Sequence, residues 1–259
     1  MSIIHMADRR ETFDVPALLA RPRGPAERLG GALDGLHPAV VFAIVMLTGL
    51  AVIAAVSIGL GLLVTRVLEH VSSIGGPDEH FNVWLASRRT PGRTEASLVG
   101  SIMAGGVVLP IVAGVVALVF AVLRKWRIVA FAVFGLAVES ATYRATTLVI
   151  HSHRPRVVRL EGLPVNASYP SGHTAASIAV YGGLVLLLTS VFTNRSFRAF
   201  AWTIAVAIVL FVATARMYRG MHHPLDVAGG VFVGIAALIV VVFACRTAGA
   251  AASARRRIS

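Results

Sequence analysis

Hydrophobic residues in this chain come in long runs separated by short polar joins. Six apolar stretches follow one another: about Pro38 to Val67, Ala96 to Leu123, Ile128 to Ile150, Thr174 to Phe192, Ala199 to Ala215, and Leu225 to Cys245. A helix needs roughly 20 residues to cross the hydrocarbon of a bilayer, with a range of about 17 to 25. The fifth stretch is short on that scale, and the first is long enough to tilt or to extend beyond the bilayer. The pattern predicts an all-α polytopic membrane protein, a six-transmembrane-helix bundle. The third stretch is interrupted by Glu139 and Arg144.

The flanks read differently. Met1 to Leu33 is polar, carries Pro16, Pro22 and Pro25, and lacks the apolar core and cleavage site of a signal peptide. The organisation expected is a flexible cytoplasmic tail over residues 1–34, a six-span membrane domain over 35–246, and a basic cytoplasmic tail over 247–259. Before the second span lie Asp78, Glu79, Phe81, Trp84 and Leu85, then Arg88, Arg89 and Arg93. That segment fits an amphipathic interfacial helix or a plain connecting loop with an aromatic anchor.

Composition agrees with the pattern. The 259 residues are 56% hydrophobic and 14% charged, against roughly 25% charged in a soluble domain. The net charge of +12 is almost all arginine, Lys125 being the only lysine. In a membrane protein such charge speaks first of anionic headgroups and topology. A nucleic-acid partner is excluded, because no long soluble basic face exists to hold a duplex. The one cysteine, Cys245, cannot form an intrachain disulfide.

The joins set the orientation. Arg124, Lys125 and Arg127, then Arg195 and Arg198, then Arg246, Arg255, Arg256 and Arg257 all fall on one side of a six-span chain. By the positive-inside rule that side is cytoplasmic. Both termini are then cytoplasmic, in a multi-pass protein of the plasma membrane.

Three polar clusters map to the other side, facing the periplasm or exterior. The first is His151-Ser-His153-Arg154-Pro155-Arg156. The second is Tyr169-Pro170-Ser171-Gly172-His173-Thr174. The third runs from Arg216 through His222 and His223 to Asp226. Charged groups near hydrocarbon are costly and mark functional sites. In the second cluster Ser171 is placed to cap a helix, and a helix start with a free glycine amide suits an anion. His222 and Asp226 are four apart, so at a helix start they share a face and can hydrogen-bond. Arg154 and Arg216 add planar forks that match phosphate oxygens. The pieces read together as a phosphate pocket with two histidines.

These residues resemble the type 2 phosphatidic acid phosphatase family, whose motifs are Lys-x6-Arg-Pro, Pro-Ser-Gly-His and Ser-Arg-x5-His-x3-Asp. The second motif is complete at Pro170, Ser171, Gly172 and His173. The third is present as Arg216, His222 and Asp226, with Ala215 in place of its serine. The first keeps Arg154 and Pro155, with Thr147 where the lysine would stand. The resemblance implies that His222 attacks phosphorus and that Asp226 orients it. It implies that His173 protonates the leaving oxygen and then activates water. It assigns Arg154, Arg216, Ser171 and Gly172 to the phosphoryl oxygens, and it implies no metal and no cofactor. Arg144, one turn before Thr147, is the candidate substitute for the missing lysine, with Glu139 as its partner or as a purely structural pair.

The implied activity is hydrolysis of a phosphate ester or diphosphate of a membrane lipid. Phosphatidic acid, phosphatidylglycerol phosphate, and polyprenyl phosphate or diphosphate are the candidate substrates. The same intermediate would serve a phosphotransferase, and a non-catalytic binder of lipid phosphates is the reading from another class. His223 is one residue out of register with Asp226, and His151 and His153 lack a third ligand nearby for zinc.

Overall fold

A computed structural model describes residues 15–162 and 164–258. Ten helices build it: α1 Pro25–Ala32, α2 Pro38–Arg66, α3 Ser72–Ala86, α4 Pro91–Met103, α5 Val108–Val122, α6 Trp126–Val149, α7 Gly172–Ser177, α8 Gly183–Val191, α9 Arg195–Tyr218 and α10 Pro224–Ile258. A π turn at Ile178–Gly182 joins α7 to α8, so the two form one continuous rod. Among the described residues there is no strand, only an isolated bridge between Ser152 and Ala167.

The six apolar stretches become spans, with changes at their ends. Five helical stretches are long and apolar enough to cross a membrane. The second stretch is broken: α4 and α5 meet at 41° and count as a sixth span when taken as one. The break falls at Gly105-Gly106, where two residues without side chains interrupt an apolar run. The fifth span is not short, because α9 begins four residues before Ala199 and is 24 residues long. Asn194 starts it, its Oδ1 accepting from the Phe197 amide at 3.0 Å. The last span runs on as α10 to Ile258, so the expected tail from residue 247 is helical.

The N-terminal flank also differs. Residues 1–14 of the expected flexible tail lie outside the described residues. Beyond them Leu18 is 1% exposed, and α1 packs against α10 so closely that a Cβ on Gly30 would meet the Thr247 carbonyl at 2.6 Å. An eight-residue helix is marginal alone, and tertiary packing holds it.

The core lies where α2, α6 and α10 meet, around Val45, Met46, Ile53, Phe131, Val138 and Val241. Outward faces are apolar as well: Leu118 is 67% and Leu148 78% exposed. In a span, such side chains face lipid tails. The start of α2, the start of α6 and the end of α10 share one end of the bundle, with Arg127 against Gly249. The three polar clusters share the opposite end, and α3 lies there too, packed on α9 and α10.

Candidate active site

The turn between α9 and α10 carries the central histidine. α9 ends at Tyr218, and Gly220 follows with φ of +70°, a conformation that side-chain-bearing residues rarely adopt. A Cβ there would also meet Val157 at 2.8 Å. The reversal delivers Met221 and His222 into the bundle end, and Pro224 opens α10.

His222 is 3% exposed. Its Nδ1 lies 2.8 Å from the backbone carbonyl oxygen of Ser168. A carbonyl only accepts, so Nδ1 carries the proton and Nε2 keeps its lone pair. Burial, followed by the positive charges of Arg216 and Arg154, pushes the ring well below the ordinary histidine range, so it is neutral near pH 7. A neutral imidazole with a free Nε2 is a nucleophile.

Asp226 does not hydrogen-bond this ring, contrary to the expectation from the four-residue spacing. Its Oδ2 is 4.0 Å from His222 Nδ1. That oxygen instead accepts from Ser168 Oγ at 2.5 Å and from the His223 amide at 2.7 Å. The carboxylate therefore anchors the residue whose carbonyl holds the histidine. Asn82 of α3 braces the same turn: its Nδ2 donates to the His222 carbonyl at 2.9 Å and to that of Met217 at 3.2 Å.

His223 faces the other way. Its Nδ1 is 3.4 Å from Asp226 Oδ2 and its Nε2 3.0 Å from Glu79. Burial alone would lower its pKa, but the Asp226 hydrogen bond and charge, with Glu79, outweigh that and raise it to about 9. Adjacent histidines thus hold opposite protonation states, which separates the nucleophile candidate from its neighbour.

Ser171, Gly172 and His173 open α7 against the start of α10. The Ser171 amide donates to the Asp226 carbonyl at 2.9 Å, and the approach is close enough that a Cβ on Gly230 would meet the Ser171 carbonyl at 2.4 Å. Ser171 is the N-cap residue, but its hydroxyl pairs with Thr174 Oγ1 at 3.0 Å and caps no amide. The His173 ring is half-buried.

The arginines divide. Arg154 Nε donates to the Pro164 carbonyl at 2.7 Å, Nη2 to that of Ala167 at 3.0 Å, and Nη1 to that of Met221. It stitches the loop before α7 to the His222 turn. Arg216 is fully buried. Its Nη1 meets Glu161 at 2.6 Å and also Ser101, while Nε and Nη2 have no protein partner. Those two nitrogens form one edge of the guanidinium, a fork of the spacing that two phosphoryl oxygens present.

Three contributors escape the sequence patterns. Glu161 bridges Arg216 and Arg219, with its Oε1 2.5 Å from Arg219 Nε and 2.8 Å from Ser101 Oγ. Burial would raise its pKa, but Arg216, Ser101 and Arg219 bring it down to about 2. It is the one acid in the loop from His151 to His173, and that isolation among arginines was its signal. Ser168 carried no signal, because a backbone carbonyl does its work. Tyr143 lies against Gly172, where a Cβ would meet its ring at 3.1 Å, and its phenol is close enough to act on the charge of Arg154. Its neighbour Arg144 is exposed on α6 and forms no ion pair with Glu139, whose carboxylate accepts from Ser140 at 3.1 Å.

Two hollows flank the site. A largely apolar one of about 570 Å³ lies between Ile74, Pro77, Phe81, Met217, Leu225 and Val227. A polar one of about 660 Å³ is lined by Arg66, His70, His151, His153, Arg156 and His223. Among the described residues no cluster of histidine, cysteine or carboxylate side chains is spaced to hold a metal ion.

The chain resembles known proteins in part of its sequence and in its fold. A family model described as the PAP2 superfamily matches residues 128–249, just under half of the chain. A 75-residue stretch is 39% identical to an undecaprenyl-diphosphatase of Sulfolobus acidocaldarius, covering 29% of this chain and 32% of that protein. The match thus spans about a third of that relative's length. The crystal structure of a transmembrane PAP2 type phosphatidylglycerolphosphate phosphatase from Bacillus subtilis shares the fold, with a TM-score of 0.59 at 20% identity over 79% of this chain and 94% of that one.

Proposed function

We propose that the protein, whose residues 128–249 match the PAP2 superfamily model, is an integral-membrane lipid phosphatase working through a phosphohistidine. The observation that carries the reading is the state of His222: neutral, proton on Nδ1, Nε2 free, and within the electrostatic reach of Arg216, one edge of which is buried and unpartnered.

The chemistry follows from these groups. Arg216 takes two phosphoryl oxygens through Nε and Nη2 and keeps them as charge builds in the transition state. Nε2 of His222 attacks phosphorus while the bond from phosphorus to the lipid oxygen breaks, and His173 gives that oxygen its proton. Water then attacks the phosphohistidine, losing its proton to His173. The phosphorus–nitrogen bond breaks, His222 is restored, and inorganic phosphate leaves. Asp226 acts throughout as the anchor of Ser168, and Arg154 as the clasp of the two loops.

The substrate class rests on the spans and on the names of the relatives, which act on an undecaprenyl diphosphate and a phosphatidylglycerolphosphate. The apolar hollow beside Leu225 suits a lipid tail while the headgroup reaches His222. The arginine-rich joins put the opposite end of the bundle in the cytoplasm, so the site opens toward the periplasm or exterior. The phosphatase reading is tested by phosphate release from a panel of lipid phosphates in detergent micelles, with His222→Ala as the blank. Release by wild type and none by the variant supports it; equal release by both, in folded protein, overturns it.

A further inference from the structure

We propose that Glu161 is a specificity-determining residue that fits this site to a substrate with a single phosphoryl group and disfavours two directly linked ones. The inference rests on the phosphatase reading above and concerns the same pocket.

The guanidinium groups around this pocket have most of their donors already engaged. Arg154 faces the carbonyls of Pro164, Ala167 and Met221. Arg219 faces Glu161, Ser97 Oγ at 3.1 Å and the carbonyls of Leu160 at 3.1 Å and Thr94 at 3.4 Å. Arg216 gives Nη1 to Glu161 and Ser101 and keeps one edge, Nε with Nη2, buried and unpartnered. One such edge matches two oxygens of one phosphoryl group. A second phosphoryl group, bonded to the first, would need a second cation within a few ångströms.

The structure offers Arg219 as that cation, but Glu161 already neutralises it. The carboxylate sits between the two arginines at 2.6 and 2.5 Å, its side chain 22% exposed at the rim. An anionic group extending from Arg216 toward Arg219 meets this carboxylate before it meets a free donor. Discrimination of this kind comes from a built-in repulsion rather than an added contact. The depressed pKa of Glu161 keeps the repulsion in place at every working pH.

The test compares farnesyl phosphate with farnesyl diphosphate, which share one tail, in wild type and in Glu161→Gln. Wild type should show the higher kcat/KM on the monophosphate. The variant should move the ratio toward the diphosphate by roughly tenfold, the scale of a lost polar discrimination. Glu161→Asp, which keeps the charge, should leave the ratio near wild type. A Glu161 that only supports the fold would lower both activities in step, so an unmoved ratio overturns the proposal. A second measurement needs no variant: orthophosphate should inhibit wild type more tightly than pyrophosphate, and the reverse order overturns the proposal. Wild type that hydrolyses neither lipid brings down the phosphatase reading, and this inference with it.

Discussion

His222 is held by Ser168, whose backbone carbonyl oxygen lies 2.8 Å from Nδ1. The Asp226 carboxylate, at 4.0 Å from the same nitrogen, reaches the ring only through the Ser168 hydroxyl and the His223 amide. The carboxylate and the serine form one positioning unit. Residues that act as a unit lose activity non-additively.

Ser168→Ala and Asp226→Asn should each lower kcat, the serine variant by about tenfold, because the carbonyl survives but its anchor does not. The double variant should lose little more than Asp226→Asn alone. Kinetics on the four proteins check this. Multiplying losses would mean that Asp226 acts on His222 independently.

Arg154 and Arg216 should fail in different ways. Removing the Arg154 side chain strands the carbonyls of Pro164, Ala167 and Met221. Charged hydrogen bonds contribute about 1.5–3 kcal/mol each, so Arg154→Ala should cost at least about 3 kcal/mol. Thermal unfolding in detergent should show that loss. Arg216→Lys keeps a positive charge beside Glu161 but loses the fork, and should lower kcat/KM by about 100-fold with a much smaller change in Tm. An Arg154 variant with unchanged Tm and a large rise in KM would make Arg154 a direct phosphate ligand instead.

His223 carries the clearest pH dependence. Its pKa is raised to about 9 by Asp226 and Glu79, against roughly 6.5 in an unfolded chain. The protonated form is favoured by the fold. Its contribution is therefore complete below about pH 6.5, declines as pH rises, and is gone above about 9. The amount is on the order of 3 kcal/mol. Wild type should thus lose more Tm between pH 6.5 and 9.5 than His223→Gln, measured in the same detergent, while the variant keeps turnover near neutral pH. Parallel Tm profiles would show that the two carboxylates do not hold a charged His223.

Much of this architecture was legible because partition between water and hydrocarbon leaves its mark on the sequence. Apolar runs of crossing length gave the spans, and the charges between those runs pointed to Arg154, His173, Arg216, His222 and Asp226, which the fold gathers at one end of the bundle. What stayed hidden depends on tertiary contact. The α4–α5 break needed more weight on Gly105-Gly106 than an apolar run suggests. The short helix α1 exists through its seat on α10. The His222–Asp226 spacing permitted a direct bond, but Ser168 came between, and a backbone carbonyl has no sequence signature. Arg144 looked like a substitute for a missing lysine by helical spacing, yet α6 turns it outward and presents Tyr143 to Gly172.

Every other step of the proposed reaction depends on covalent bonding of His222 Nε2 to phosphorus. Rapid acid-free quenching of purified protein during turnover of a radiolabelled lipid phosphate tests it most directly. Label should be bound to the protein, acid-labile and base-stable, present in wild type and His223→Gln and absent from His222→Ala. Label on His222→Ala, or turnover by wild type with no bound label at any quench time, would contradict it.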